Sequence, residues 1–168
     1  IKITTIPYEF KGFMGMRNFI IQDSEGRKLA WANSNWTHLD ISMGLPARLT
    51  PADTDNYVLG EKMEMDYAPR KIKLPEDMIA QEAFTVQKHH LDTNHHVNNC
   101  QYVCMAEDFL PESFKIYQMR AEYKMQAKLG DVICPKVKTE TDKVVVSLDN
   151  IEGKAYAIVE FLKKEGDI

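Results

Sequence analysis

The sequence lacks an apolar run long enough to cross a membrane. Such a run needs about 20 consecutive apolar residues, whereas charged residues make up 27% of the 168 positions and interrupt every apolar stretch before that length. The first residues also lack the basic and apolar regions of a signal peptide. We therefore predict a protein without a membrane segment that works in the cytoplasm.

The chain also has few cysteines and no excess of basic residues. Cys100 and Cys104, two of the three cysteines, fall on consecutive turns of a predicted helix, where a disulfide would constrain almost nothing. Reduced, buried thiols in an intracellular protein are expected. The net charge of −4 argues against nucleic acid as the main partner. With 44% apolar residues, the composition fits a globular protein of one domain or two small ones.

What the chain does contain is organised around residues 90–110. Four polar side chains crowd the loop at the start of this stretch: Asp92, Asn94, His95 and His96. An apolar segment of helical length follows over residues 97–110, and Pro111 marks its end. Because this segment has no wide polar face, we predict a helix that is buried nearly all round.

The start of this helix combines groups that suit acyl transfer. A helix N-terminus carries about half a positive charge and has N–H groups without partners. The backbone N–H groups of Val97 and Asn98 are therefore predicted to hold a carbonyl oxygen as it becomes an oxyanion. The neighbouring carboxylate, amide and imidazole can position and deprotonate a water. The same residue types are also ordinary helix caps and solvated loop residues, and the spacing alone leaves both interpretations open.

Two further interpretations use the same region. The pairs His89-His90 and His95-His96 invite a zinc site, but neighbours on a strand point to opposite faces. No more than two of the four imidazoles would easily converge, so we predict no metal. Cys100 could be a nucleophile, although a cysteine on an apolar helix is more often a packing residue.

Alternating polar and apolar residues predict strands on both sides of this region. The N-terminal pattern predicts a strand over 1–10, a turn over 11–15 and a hairpin whose second strand runs over 29–36. Residues 84–90 are strand-like, and four antiparallel strands are predicted after the helix, over 116–125, 132–140, 144–149 and 155–162. The second half of the chain is thus predicted to be an α+β unit in which a sheet curls around one helix.

The first and last hairpins indicate a repeat. In each, a Glu-Gly pair is followed by Ala four residues after the Gly, at Ala30 and at Ala157. Chance similarity between two short hairpins is the alternative. A complete first copy would also need a strand and a helix before Ile1, about fifty residues by repeat logic. The absence of an initiator methionine agrees with an upstream segment that has been removed or is not included.

These patterns predict three regions. Residues 1–45 form the back half of a first unit, and residues 84–168 form a second unit that carries the site. Residues 46–83, which contain four prolines and mixed charge, connect them, with a short helix entered at Thr50-Pro51.

The stretch HLDTNHHVNN over residues 90–99, with Tyr102 and residues 123–131, resembles the C-terminal hotdog domain of acyl-acyl carrier protein (ACP) thioesterases. A weaker N-terminal pattern is similar to the back half of the family's first hotdog domain: Arg17-x-Phe19, Asp23, Gly26, Ser34-x-Trp36, Asp40 and Pro46-x-Arg48. The resemblance covers nearly the whole chain and is to the bacterial type. It implies a tandem hotdog fold with an incomplete first unit, arranged as an intramolecular pseudo-dimer, with a homodimer as a further option.

The resemblance also implies a reaction. Members hydrolyse the thioester between a fatty acyl chain and the phosphopantetheine arm of ACP, which releases a free fatty acid and ends its biosynthesis, with no metal and no bound cofactor. Asp92, Asn94 and His96 fall on the family's site residues. Asn94 would hold the carbonyl or water, and His96 would hydrogen-bond the water or the developing charge. Asp92 would take a proton or, on another account of the family, attack directly.

One position departs from the family pattern. The family commonly has a Glu at the end of the strand after the helix, where this chain has Gln126, and Ala127 stands where plant members often carry Cys. Gln126 can orient a water but cannot act as a base near neutral pH. Strict alternation puts it on the polar face of its strand beside Glu122, so a role in the site requires that the strand bulge or bend.

Partners and rival functions follow from the same residues. Arg120, Lys124 and Lys128 are candidates for an exposed basic surface that meets the acidic carrier protein. A hotdog hydrolase acting on acyl-coenzyme A is the first rival function. A protein that binds acyl chains or ACP without hydrolysis is the second, and Gln126 in place of Glu would fit it.

Overall fold

The computed structural model describes residues 1–163. Contacts along the chain fall into two compact units, unit 1 over Ile1–Ala68 and unit 2 from Pro69 onward. The change from one unit to the other lies inside the proline-containing stretch 46–83. Each unit has its own sheet. No helix within residues 1–163 has the length and apolar character needed to cross a membrane.

Unit 1 is built on a three-stranded antiparallel sheet. Its strands are β1 (Lys2–Lys11), β2 (Met14–Gln22) and β3 (Lys28–Thr37), in that order across the sheet. The predicted strands and hairpin are confirmed, although β2 begins at Met14, inside the predicted turn. Gly12, with φ of +64°, supplies the left-handed conformation that closes so short a connection.

Two short elements follow this sheet. β4 (Leu39–Asp40) pairs with β5 (Leu45–Pro46), and α1 (Pro51–Thr54) is a single helical turn. The backbone N–H and the hydroxyl of Thr50 both donate to Asp53 Oδ2, at 2.8 and 2.7 Å. The predicted short helix at Thr50-Pro51 is confirmed, with proline where its missing N–H costs nothing.

The two faces of the unit 1 sheet have different surroundings. On one face Asn18 is fully buried, and its Oδ1 accepts hydrogen bonds from the Met63 N–H (3.1 Å) and the Tyr67 hydroxyl (3.2 Å). On the other face Ile3 and Trp36 are 71% and 57% exposed. A segment that includes residues 63–67 thus covers one face, whereas apolar side chains on the second, which we call the open face, remain in contact with solvent.

Unit 2 contains the longer helix and the larger sheet. Its elements in chain order are β6 (Ile79–Ala80), β7 (Phe84–Thr85), a 3₁₀ turn (Lys88–His90), α2 (Asn99–Glu107), β8 (Ile116–Tyr123), β9 (Val132–Thr139), β10 (Lys143–Asp149) and β11 (Ala155–Lys163). The antiparallel order across the sheet is β6-β9-β10-β11-β8, and β7 also pairs with β9. The four strands predicted after the helix are confirmed, whereas the strand predicted over 84–90 is only two residues long.

The helix α2 packs on one face of this sheet. Its buried residues are Tyr102, Met105 and Ala106. They join a core made by alternate residues of β10 and β11: Val144, Val146, Leu148, Ala157, Val159 and Phe161. Side chains two positions apart on a strand share a face, so both strands present a continuous apolar surface to the helix. The expected α+β unit, an antiparallel sheet against one helix, is confirmed.

The helix itself differs from the prediction in length and in burial. It runs over Asn99–Glu107 rather than 97–110, because Val97 forms an isolated antiparallel bridge with Leu91 and is extended. Cys100 and Cys104 are free thiols and both are exposed, so the expectation of buried thiols is wrong for this pair. The sheet covers the side of α2 that carries its buried residues, whereas Cys100 and Cys104 are exposed to solvent.

The hairpins β2–β3 and β10–β11 are built on the same turn. Asp23 and Asn150 open the two turns, and the Oδ1 atom of each accepts two backbone N–H bonds from residues two and four positions later. Gly26 and Gly153 take the same place in each turn, with φ of +82° and +77°. In both hairpins the pairing shifts by one residue at the turn end of the first strand. The hairpin similarity noted in the sequence therefore extends to turn geometry and register.

Candidate active site

Asp92 organises the loop that precedes α2. Its Oδ1 accepts hydrogen bonds from the backbone N–H groups of Asn94 (2.8 Å) and His96 (3.4 Å), and its own N–H donates to the His96 carbonyl (2.9 Å). His95 adopts a left-handed conformation with φ of 60°, which lets the loop close. Three of the four predicted catalytic residues, Asp92, Asn94 and His96, are thus held in one tight loop. Asp92 and His96 are half-buried and Asn94 is exposed.

The head of α2 is capped by Asn98. The Asn98 side chain accepts the Cys100 N–H at 2.8 Å, and its carbonyl accepts the Gln101 N–H at 2.9 Å. These bonds satisfy two of the donors that a helix N-terminus leaves without partners. The capping interpretation that the sequence left open therefore applies to Asn98.

The two N–H groups predicted for an oxyanion are already engaged, which corrects that prediction. The Val97 N–H donates to the Ala127 carbonyl, and the Asn98 N–H donates to the His90 carbonyl, both at 2.9 Å. The physical reason is that both residues precede the helix and pair with neighbouring chain segments. Among the described contacts, the N–H of Asn99, the first helical residue, makes no hydrogen bond, and it faces no acceptor within its own helix.

The chain bends after β8, just before Gln126. The N–H groups of Lys124 and Met125 both donate to the Tyr156 carbonyl, at 2.8 and 3.2 Å. Two residues facing one is the signature of a bulge, which turns a strand out of its alternation. Ala127 then accepts the Val97 N–H, so Gln126 lies one residue from the bond that joins this segment to the loop of His96. The bend that the sequence required of Gln126 is confirmed, and its side chain is exposed.

Residues 72–161 match the model of a protein family described as the acyl-ACP thioesterase C-terminal domain. The chain belongs to the acyl-ACP thioesterase family. Its reaction is the hydrolysis of the thioester of a fatty acyl-ACP. The family resemblance that rested on residues 90–99 and 123–131 is thereby confirmed.

Solved structures share the fold of this thioesterase. An acyl-ACP thioesterase from Bacteroides thetaiotaomicron VPI-5482 aligns with a TM-score of 0.83 and 18% identity, over 96% of this chain and 68% of its own. A protein named as an oleoyl thioesterase, from Lactobacillus plantarum, aligns with a TM-score of 0.74 and 19% identity, over 97% and 69%. The helix and antiparallel sheet thus match those of hotdog-type thioesterases. No curated protein sequence matches the chain.

The thioesterase does not present Arg120 to a partner as predicted. Its guanidinium pairs with Glu160 at 2.7 Å and also donates to the Pro69 carbonyl at 2.5 Å. The side chain is 21% exposed, because the face of β8 that carries Arg120 is covered by the first residues of unit 2. Lys128 is exposed, and Lys124 is 43% exposed although it lies 3.3 Å from Glu122. The predicted basic surface therefore reduces to two lysines.

The side chains of His89 and His90 contribute to the local fold of the thioesterase. The Gln87 N–H donates to His90 Nδ1 at 3.0 Å, and the rings of His89 and His90 lie 4.1 Å apart. Burial, followed by the charge of His89, lowers the pKa of His90, so the neutral ring that accepts this bond is favoured. Within residues 1–163, no group of three or more His, Cys, Asp or Glu side chains has a geometry that could hold a metal ion.

Two residues near the site escaped the sequence analysis. The N–H of Asn99 was missed because the helix was expected to start two residues earlier. Tyr102 was noted only as part of the family pattern, yet its hydroxyl accepts the Ala127 N–H at 2.8 Å. An asparagine directly before the first helical residue is a common cap signal, which would have moved the predicted start from Val97 to Asn99.

Proposed function

We propose that this thioesterase hydrolyses fatty acyl-ACP with a water held at the head of α2, and that Asp92, Asn94, His96 and Gln126 are its site residues. One observation carries the proposal: the Asp92 loop and the segment of Gln126 are joined by the hydrogen bond from the Val97 N–H to the Ala127 carbonyl. A carboxylate, an imidazole and two amides are thereby anchored to the same helix terminus, the chemistry that water attack on a carbonyl requires.

Each residue has a role that its contacts permit. Asp92 Oδ1 is used within the loop, which leaves Oδ2 to take a proton from the attacking water. The amides of Asn94 and Gln126 orient that water or the carbonyl, and His96 hydrogen-bonds the developing charge. The Asn99 N–H replaces Val97 and Asn98 as the backbone donor for the oxyanion.

The step balances without a metal or cofactor. The water oxygen forms a bond to the thioester carbon, and one of its protons passes to Asp92. The tetrahedral intermediate then expels the pantetheine sulfur as the C–S bond breaks. A thiolate leaves without strong acid assistance and later takes up the proton, so the products are a free fatty acid and the thiol of the carrier. The work left to the protein is positioning of the water and stabilisation of the oxyanion.

The reaction is tested by thiol release from the same fatty acyl group attached to ACP and to coenzyme A. We expect free thiol and fatty acid from acyl-ACP at a kcat/KM well above that for acyl-CoA. A higher kcat/KM for acyl-CoA would favour the rival hydrolase. Binding of acyl-ACP with no thiol above background would favour the binding protein and contradict hydrolysis.

We further propose that Lys124 and Lys128 contribute to the surface that meets acidic ACP. Both flank Gln126, so a carrier bound there would deliver its pantetheine arm to the site. Replacing both lysines by Ala is expected to raise KM for acyl-ACP by about three- to tenfold at low salt, and this difference should shrink as salt rises. Steady-state kinetics at several salt concentrations measure the effect.

The matched control for this prediction is Lys115→Ala. Lys115 is exposed and lies just before β8, at the end of the strand opposite to Lys124. It should leave KM and its salt dependence unchanged. Equal effects of the two changes, or a KM of the native protein that does not respond to salt, would exclude the Lys124 and Lys128 surface.

The tandem arrangement remains part of the proposal. The shared turn geometry and register of the two hairpins support the view that unit 1 contains the back half of a first hotdog unit and that unit 2 is the second. The open face of unit 1 corresponds to the face of β10 and β11 that packs against α2, so a helix from the same or another chain would complete it. A pseudo-dimer of the two units and a cytoplasmic location belong to the same proposal.

A further inference from the structure

The hydroxyl of Tyr102 holds the segment that carries Gln126. Tyr102 lies in α2 and is 2% exposed, and Ala127 is completely buried. The Ala127 N–H donates to the Tyr102 hydroxyl oxygen at 2.8 Å. A backbone N–H in so dry a place needs an acceptor, and in this segment a side chain supplies it instead of another strand.

Ala127 is therefore fixed from two directions. Its N–H is bound by Tyr102, and its carbonyl accepts the Val97 N–H at 2.9 Å. Both bonds lie within the core cluster that contains Val97, Tyr102 and Ala127. Hydrogen bonds excluded from water are stronger electrostatically and costlier to leave unmade than exposed ones. Ala127, which follows the bend, is in this way joined both to α2 and to the loop before α2.

Gln126 is held between two backbone anchors, one of which involves Tyr102. On its N-terminal side, Met125 shares the Tyr156 carbonyl with Lys124 at the longer distance of 3.2 Å. On its C-terminal side stands the bond of 2.8 Å between Ala127 and Tyr102. No described hydrogen bond holds the exposed side chain of Gln126, so its backbone anchors fix the Cα of Gln126 and the direction in which its side chain leaves the chain.

We infer that Tyr102 is a positioning residue for hydrolysis, which acts by placing Gln126 beside the loop of Asp92 and His96. The inference rests on the proposed function, in which Gln126 orients the attacking water or the carbonyl. A tyrosine is neutral near neutral pH, and burial raises the pKa of Tyr102 further, so its oxygen accepts a hydrogen bond while it keeps its own proton. Tyr102 itself need not touch the substrate.

Replacing Tyr102 by Phe tests the inference. The ring stays in the core, but the buried Ala127 N–H loses its acceptor and the segment of Gln126 shifts. We expect kcat for acyl-ACP to fall by about tenfold or more, because small displacements of a positioned group are costly, while KM changes little. Amide hydrogen exchange at Ala127 should become faster in the variant.

The matched control is Tyr67→Phe. Tyr67 lies in unit 1, and its hydroxyl donates to the Met63 carbonyl at 2.8 Å and to Asn18 Oδ1 at 3.2 Å. This variant loses one hydroxyl that binds the fully buried Asn18, without touching Ala127 or either anchor of Gln126. We expect kcat of this variant to stay within about twofold of the native value. A fall equal to that of Tyr102→Phe would mean that any loss of core hydroxyl has the same effect, and would overturn the inference.

A double-mutant cycle separates positioning from general damage. In a Gln126→Ala background, Tyr102→Phe should lower kcat by less than about twofold, because the group that it places is already gone. If the two changes multiply, or if Tyr102→Phe or Gln126→Ala alone leaves kcat unchanged, Tyr102 does not act through Gln126. Should Tyr102→Phe fail to fold, 4-fluorophenylalanine at position 102 keeps nearly the size of the side chain and puts a much weaker, non-ionisable acceptor in place of the hydroxyl, and a fall in kcat is again expected.

The outcomes also separate this inference from the proposed function. A native protein that hydrolyses acyl-ACP, with a Tyr102→Phe variant of equal kcat, overturns the inference alone. A native protein that releases no thiol overturns the proposed function and the role of Tyr102 with it.

Discussion

The change Asp92→Asn is expected to lower kcat for fatty acyl-ACP by about a hundredfold or more, the scale of losing a general base. An amide cannot take the proton of the attacking water. Its Oδ1 can still accept the N–H groups of Asn94 and His96, which Asp92 binds at 2.8 and 3.4 Å, so the loop should keep its conformation. Thiol release under saturating acyl-ACP measures the loss.

The control for this change is Asp108→Asn. Asp108 is exposed and follows the last residue of α2, at the end of the helix away from the loop. The Asp108→Asn change also replaces one carboxylate next to α2 by an amide, and it should leave kcat within about twofold of the native value. If Asp92→Asn turns over at the native rate, Asp92 takes no part in the reaction and the proposed mechanism fails.

The largest effect on stability is expected from Phe161→Ala, which should cost about 3 to 5 kcal/mol. Phe161 is 1% exposed and lies in β11, within the cluster that packs against α2. Truncation leaves a cavity between sheet and helix that the surrounding residues fill only in part. Because the proposed site lies at the head of α2, kcat should fall together with stability in unit 2.

The measurement of Phe161→Ala must follow unit 2 by itself, since a chain of two units need not unfold in one transition. Both tryptophans, Trp31 and Trp36, lie in unit 1. Amide hydrogen exchange of β10 and β11 therefore reports the loss in unit 2. Ile151→Ala, at a side chain that is 79% exposed, is the control and should cost less than about 0.5 kcal/mol. A loss below about 1 kcal/mol for Phe161→Ala would contradict the packing of α2 on this sheet.

Alternation along the sequence was sufficient to predict the strands. The four strands after the helix in unit 2, and the first hairpin in unit 1, were predicted from side chains that alternate between an apolar core and a second face. The prediction of a strand over 84–90 was wrong beyond Thr85, because a mixture of apolar and polar residues of that length also fits a 3₁₀ turn. His90 stabilises this turn through its ring nitrogen. Short elements of this kind depend on a single side-chain contact, which periodicity does not reveal.

The site was predictable in its residue types but only partly in its geometry. Asp92, Asn94 and His96 lie within five positions of the sequence, so their proximity could be predicted without knowledge of the fold. The engagement of the Val97 and Asn98 N–H groups depends on His90 and Ala127, which approach only after folding. Arg120 was misjudged for a related reason, since its burial depends on Pro69, 51 residues earlier.

The two matching hairpin turns differ in one chemical respect, which makes only the first of them sensitive to acid. Asp23 opens the first turn as a carboxylate, and its pKa is lowered chiefly by the hydrogen bond from the Arg27 side chain. The stability that this bond contributes is present above the ordinary pKa of an aspartate and is lost as pH falls through the lowered value. Asn150 makes the same backbone bonds with an uncharged amide. Acid should therefore loosen the turn of unit 1 and leave its counterpart in unit 2 closed.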